Sequence, residues 1–119
     1  MLVTEHAIQR GKQRLGLSKK AMQRHSEKAL LYGFRHGDFK GYFKVYLDYL
    51  YFHSKAANNI RIYGLNVFLF VNEKLITVFP VPAKHRKYVQ KVMKNDQRYF
   101  NQEFIKQPET DIGVLGKEL

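Results

Sequence analysis

The residues from Asn59 to Pro80, NIRIYGLNVFLFVNEKLITVFP, constrain the fold more than any other stretch of the chain. Ile60 and Ile62 alternate with Arg61 and Tyr63, the period-two pattern of a strand with one face buried. VFLFV follows, apolar on both faces, and this predicts a central strand. The polar NEK makes a compact turn, and LITVFPV reads as the antiparallel return, closed by Pro80 and Pro82. A three-stranded antiparallel meander is the expected centre of the domain.

Two helices are expected before it. Thr4 can cap one that runs to Leu15, with Ile8, Gly11 and Leu15 on one face and Gly16 as its break. Ser18 can cap a second, running to about Tyr32, with Met22, Ala29 and Leu30 toward the core and Gly33 as its stop. FRHGDFKG reads as a connection. YFKVYLDYLYFHS fits two periods, since Phe39, Phe43, Tyr46, Leu47 and Leu50 suit a helix while Phe43, Val45, Leu47 and Tyr49 suit a strand. Its length and the glycine before it favour the helix. After the meander, AKHRKYVQKVMKNDQRYFNQEF suits an amphipathic helix that covers the sheet or another subunit. The expected fold is α+β, with N-terminal helices packed on a three- to four-stranded antiparallel sheet and a C-terminal helix. Residues 1–107 form a single domain in this reading, and 108–119 a flexible C-terminal tail.

A chain of 119 residues, 45% hydrophobic, supports one core. Twenty-one Lys and Arg against 10 Asp and Glu leave a net charge of +11, which favours a polyanionic partner, with nucleic acid, RNA above all, the leading candidate. A merely basic protein with solvated helix faces stays open beside it. The opening MLVTEH lacks the basic and apolar regions of a secretory signal, and VFLFV is too short to span a bilayer, so a cytoplasmic protein with no membrane partner is expected. The absence of cysteine excludes disulfides, a thiolate nucleophile and cysteine-containing zinc sites. The five histidines form no pair at the short helical spacing of a metal site, so neither a metal nor another cofactor is expected.

His6, Arg10 and Arg14 stand four residues apart and form a line beside the apolar stripe of the first helix, with Lys12 adding charge to the same helix. Guanidinium forks hold phosphate, and an imidazole exchanges a proton near neutral pH. Cleaving RNA through its 2′-hydroxyl needs one group to take that proton, another to protonate the leaving oxygen, and cations for the developing charge. His6 suits the first two roles and the arginines the third. Arg61 and Tyr63 are expected on the strand face opposite Ile60 and Ile62, exposed or across a cleft, as a cation and a ring for a base. Thr77 could lend a hydroxyl to a phosphate. His85 opens KHRK, in which Lys84, Arg86 and Lys87 could grip a phosphate backbone while His85 serves as a second acid or base. Each has an ordinary reading too: a solvated helix face, an exposed strand face, a β-branched strand residue, a helix start. His25 reads as a packed rim residue and His36 as part of a turn, His53 has no role, and the aromatic stripe from Phe39 to Phe52 reads as core rather than a stacking platform.

The opening T-E-H-A-x-x-R-x-x-x-R-L-G, followed by a second helix and then by IRIYG and VFLFVNEKLITVFPVP, resembles the BECR-type superfamily over Thr4 to Pro82. That superfamily groups barnase, EndoU, colicin-type transfer-RNA nucleases and RelE-like toxins, with many small phage and mobile-element proteins. The resemblance implies N-terminal helices on an antiparallel sheet and a metal-independent RNA-cleaving site on the exposed sheet face. His6, Arg10 and Thr77 fall on its site positions, and Arg61 on a basic sheet position. No glutamate stands where a barnase-like base would, since Glu73 falls in a turn. The functional expectation is an RNA-binding protein with a ribonuclease-like fold. Two forms stay open: an RNA-cleaving toxin with a neutralising protein partner, and a non-enzymatic nucleic-acid-binding, regulatory or inhibitor module, including a homo-oligomer.

Overall fold

The strand that carries apolar side chains on both faces has a partner on each side. β3 (Asn66–Val71) lies between β2 (Asn59–Tyr63) and β4 (Lys74–Pro80), and a two-residue β1 (Phe34–Arg35) adds to the far side of β2. The sheet is antiparallel throughout, in the order β1-β2-β3-β4. These strands, with α1 (Glu5–Leu15), α2 (Lys19–Tyr32), α3 (Gly41–His53) and α4 (Ala83–Lys94), make an α+β fold. The computed structural model describes residues 3–54 and 56–104, so the expected tail over 108–119 lies outside the described residues.

Successive strand residues point to opposite faces, and on β3 both faces are apolar. Val67 and Leu69 join Phe43 and Leu47 of α3 and Val89 and Met93 of α4 in one core. Phe68 and Phe70 point the other way, into a second core with Ala7 and Leu15 of α1 and Met22 and Ala29 of α2. Each such side chain removed from water contributes about 1.5–3 kcal/mol, which is why the sheet recruits a helical layer on each side. The exposed sheet face implied by the BECR resemblance is therefore absent among the described residues: one face meets α1 and α2, and the other meets α3 and α4.

Local chemistry sets the helix ends. Thr4 Oγ1 accepts from Ala7 N at 3.1 Å and Ser18 Oγ from Ala21 N at 3.1 Å, so each N-terminus has an orphan donor satisfied. Gly16 ends α1 in the left-handed region (φ 68°), its N–H donating to the Lys12 carbonyl and that of Leu17 to the Gly11 carbonyl. Gly11 lets α1 pack directly on α2, because a Cβ there would fall on the Sδ and Cγ atoms of the buried Met22. At the outer margin of β4, Thr4 N donates to Leu75 O at 3.1 Å and Arg14 donates to Val78 O at 3.0 Å.

Three elements differ from the sequence expectation. FRHGDFKG contains β1 and a 3-10 turn over His36–Asp38 in place of a plain connection. The last helix stops at Lys94, because the Asp96 carboxylate accepts from Arg98 N at 2.8 Å and starts a separate 3-10 turn, Gln97–Asn101. The residues that follow form a strap rather than more helix. Gln102 accepts from Gly64 N at 2.7 Å and donates to Tyr32 O at 2.9 Å, and Arg98 sits 4.1 Å from the Phe34 ring centroid while pairing with Asp38 and Asp96.

Hydrogen bonds from Arg98 hold the Asp96 carboxyl down at about 2, and those from Arg24 hold Glu103 down at about 2. Unfolded, these groups take up protons first as the pH falls, from the ordinary values of 3.8 and 4.5. The stability they contribute is whole above pH 4.5 and is lost as the pH falls toward about 2. The urea midpoint should therefore drop across that window, and the drop should be shallower in Arg98→Met. Gly11→Ala should destabilise by about 1–3 kcal/mol in urea unfolding, since overpacking against Met22 outweighs the gain of about 1 kcal/mol in helix propensity.

Candidate nucleic-acid interface

The His/Arg line on α1 keeps its expected spacing but works locally. Arg10 Nε donates to His6 Nε2 at 3.3 Å and its Nη1 to Gln13 at 3.0 Å. Arg14 is committed to the Val78 carbonyl and lies 5.9 Å from the centroid of the Phe79 ring. Lys12 is exposed on the same helix.

Arg61 and Tyr63 correct the sequence expectation, because both are buried: Arg61 is 8% exposed and Tyr63 not at all. The face of β2 opposite Ile60 and Ile62 lies under α2. There Arg61 donates to Leu30 O at 2.5 Å and Ala29 O at 3.4 Å, and to Asn59 Oδ1 at 3.0 Å. The negative end of the α2 dipole thus meets a charge that burial would otherwise penalise. Tyr63 stands edge-on to His25, with its hydroxyl donating to Asn101 O at 3.4 Å, and burial pushes that hydroxyl up to about 12. Neither side chain is free for a base or a phosphate.

Thr77 pairs with Leu69, and directly opposed residues share a face, so it belongs to the α3/α4 side of the sheet. His6 and Arg10 are on a helix of the other side, and Arg61 lies under α2 with β3 between it and β4. The sheet therefore separates the five residues expected to act together, His6, Arg10, Arg61, Thr77 and His85. His25, expected at the rim, is core at 1% exposure. His36 pairs with Asp48 and ties its turn to α3, and His53 stacks on Tyr49 at 4.0 Å between ring centroids.

What does converge is a groove between α3 and α4. Tyr42, Val45, Tyr46 and Tyr49 form one wall, Lys84 and His85 the other, around a volume of about 550 Å³. A second groove of about 770 Å³ continues along α4 past Lys84, Lys87, Lys91 and Lys94, and Lys40 joins between the two beside Tyr42. Of the KHRK cluster, Lys84 and Lys87 border these grooves while Arg86 lines neither. His85 is 9% exposed, its ring 5.3 Å from Phe43 and 5.5 Å from Tyr46 between centroids. Burial, aided by the Lys84 charge, lowers its pKa, so at neutral pH it offers one N–H and one lone pair rather than a cation.

The aromatic wall is what the sequence expectation missed. Phe39, Phe43 and Leu47 are core as expected, but Tyr42 is 87% exposed and Tyr49 58%. In a helix apolar on nearly every side the period cannot mark the outer face. The available signal is compositional: the outward positions carry tyrosines, whose hydroxyls tolerate water. Among the described residues no three His, Asp or Glu side chains gather as a metal cluster, and no helix is long and apolar enough to cross a membrane. Comparison with protein-family models, with curated proteins and with solved structures gives no match.

Arg61→Ala should lower stability by about 2–3 kcal/mol in urea unfolding, because it takes the guanidinium from the Leu30 carbonyl and opens a void. His6→Ala should stay within about 0.5 kcal/mol of the parent in the same measurement.

Proposed function

We propose that this protein binds single-stranded nucleic acid, RNA in the first instance, along the α3–α4 groove, and that it acts as a binding module rather than a nuclease. The observation that carries the reading is the pairing of exposed tyrosine rings in one groove with a row of lysines in the next, Lys84 lining both. Unpaired bases stack on rings without regard to sequence, and lysines follow the phosphates. Tyr42 and Tyr49 are the stacking platforms, Lys40, Lys84 and Lys87 the phosphate contacts, and the neutral His85 a hydrogen-bonding group at the floor. The net charge of +11 adds long-range attraction.

Cleavage would need a base, an acid and a cation around one phosphate. His6 and Arg10 are divided from Thr77 and His85 by the sheet, and Arg61 is buried in a structural role. The ribonuclease reading finds no support in this arrangement.

Fluorescence anisotropy with a labelled single-stranded RNA tests the proposal, with the matching DNA strand and the duplex as comparison arms. Tyr42→Ala and Tyr49→Ala should each weaken binding roughly 5- to 150-fold, the loss of about 1–3 kcal/mol of stacking. Lys84→Ala and Lys87→Ala should each lower the slope of log affinity against log salt by about 0.7. Wild-type affinity in both tyrosine variants would remove the groove as the site.

A further inference from the structure

Arg24, His25 and Lys28 of α2 close around a single carboxylate, that of Glu103 on the C-terminal strap. Arg24 Nη2 reaches Oε2 at 2.8 Å, but Arg24 Nε is 3.3 Å from Oε1, Lys28 Nζ 3.5 Å from Oε1 and His25 Nε2 3.4 Å from Oε2. Charge-assisted N–H···O bonds settle near about 2.7–2.9 Å, and only one of the four does so here. A planar group with two oxygens underfills the cage. The charges are also unequal, since two permanent cations and an imidazole face one negative charge.

The floor and the mouth of the cage differ in a way that suits a ligand. His25 is buried and stands edge-on to Tyr63, with its Nε2 turned to the carboxylate. The side chains of Arg24 and Lys28 are 49% and 39% exposed, so the cage opens to solvent.

We propose that Arg24, His25 and Lys28 form a binding site for a phosphate group and that Glu103 occupies it as an internal substitute. A phosphate dianion brings a second charge and a tetrahedral set of oxygens. The Arg24 fork takes two of them, and Lys28 and His25 share the third. Its entry displaces Glu103 and loosens the strap, whose backbone at Glu103 lies so close to Gly64 that a Cβ there would collide with the Glu103 carbonyl. The cage packs on the α1/α2 side of the sheet and shares no residue with the α3–α4 groove.

Thermal unfolding with inorganic phosphate, against chloride at equal ionic strength, tests the site. Glu103→Ala should gain about 5 °C from phosphate, and the wild type less, because its carboxylate competes. Phosphate also stabilises proteins generally by exclusion from their surfaces, and the Arg24→Ala, Glu103→Ala double variant measures that background. No gain in Glu103→Ala, or an equal gain in the double variant, overturns the proposal. Should Glu103→Ala fail to fold, phosphate titrated into the wild type should move the ring resonances of His25 and leave those of the exposed His53 in place. Movement of neither, or of both alike, overturns it as well.

Discussion

A strand with large apolar side chains on both faces cannot stay at the surface of an antiparallel sheet, and β3 is such a strand. Phe68 and Phe70 on one side and Val67 and Leu69 on the other each need a cover, and the chain supplies α1 with α2 before the sheet and α3 with α4 around it. Antiparallel sheets commonly leave one face wet, so a functional surface is naturally sought on the sheet itself. Here the double-sided strand removes that option and moves the candidate functional surfaces to the helices. The protein is in effect two half-cores back to back, each with its own cationic exterior.

That arrangement decides what each charged residue can do. Arg61 lies beneath a helix, where its guanidinium has the α2 carbonyls as partners in place of solvent. Arg14 reaches around the sheet margin to a backbone carbonyl. The lysines of α4 have no such duties among the described residues: Lys84 borders the groove of the α3 tyrosines, and Lys87, Lys91 and Lys94 line the one beside it. The difference between a structural cation and an available one follows from whether a helix end or a strand margin lies within reach.

Features governed by neighbours in the chain are legible in the sequence. Thr4, Gly16, Ser18 and Gly33 mark the helix ends because capping and left-handed turns involve only a few residues. The meander is equally plain, since alternation and the polar NEK turn encode it locally. What escapes is the long-range part. β1 is two residues whose partners, Ile62 and Arg61, lie far along the chain. The burial of Arg61 and Tyr63 depends on where α2 settles, and alternation shows that one face of β2 is apolar without showing that the other is covered. Tyr99, Phe100 and Phe104 extend the helical period past Lys94, but the Asp96 side chain competes for the backbone and ends the helix there. The α3–α4 groove escapes for the same reason, since its two walls meet only in the folded molecule.

The margins of the sheet carry a last consequence. On the β4 side, the Leu75 and Val78 carbonyls are already occupied by Thr4 and Arg14, and on the other side the outermost strand is only two residues long. A sheet grows by offering a row of unpaired peptide groups as a template for a further strand, and neither border presents one of useful length. Among the described residues, two copies of this chain therefore have no ready way to zip together through their backbones. A sheet of strongly aromatic strands is in this way closed at both of its described borders, which leaves the helix faces as the surfaces open to another molecule.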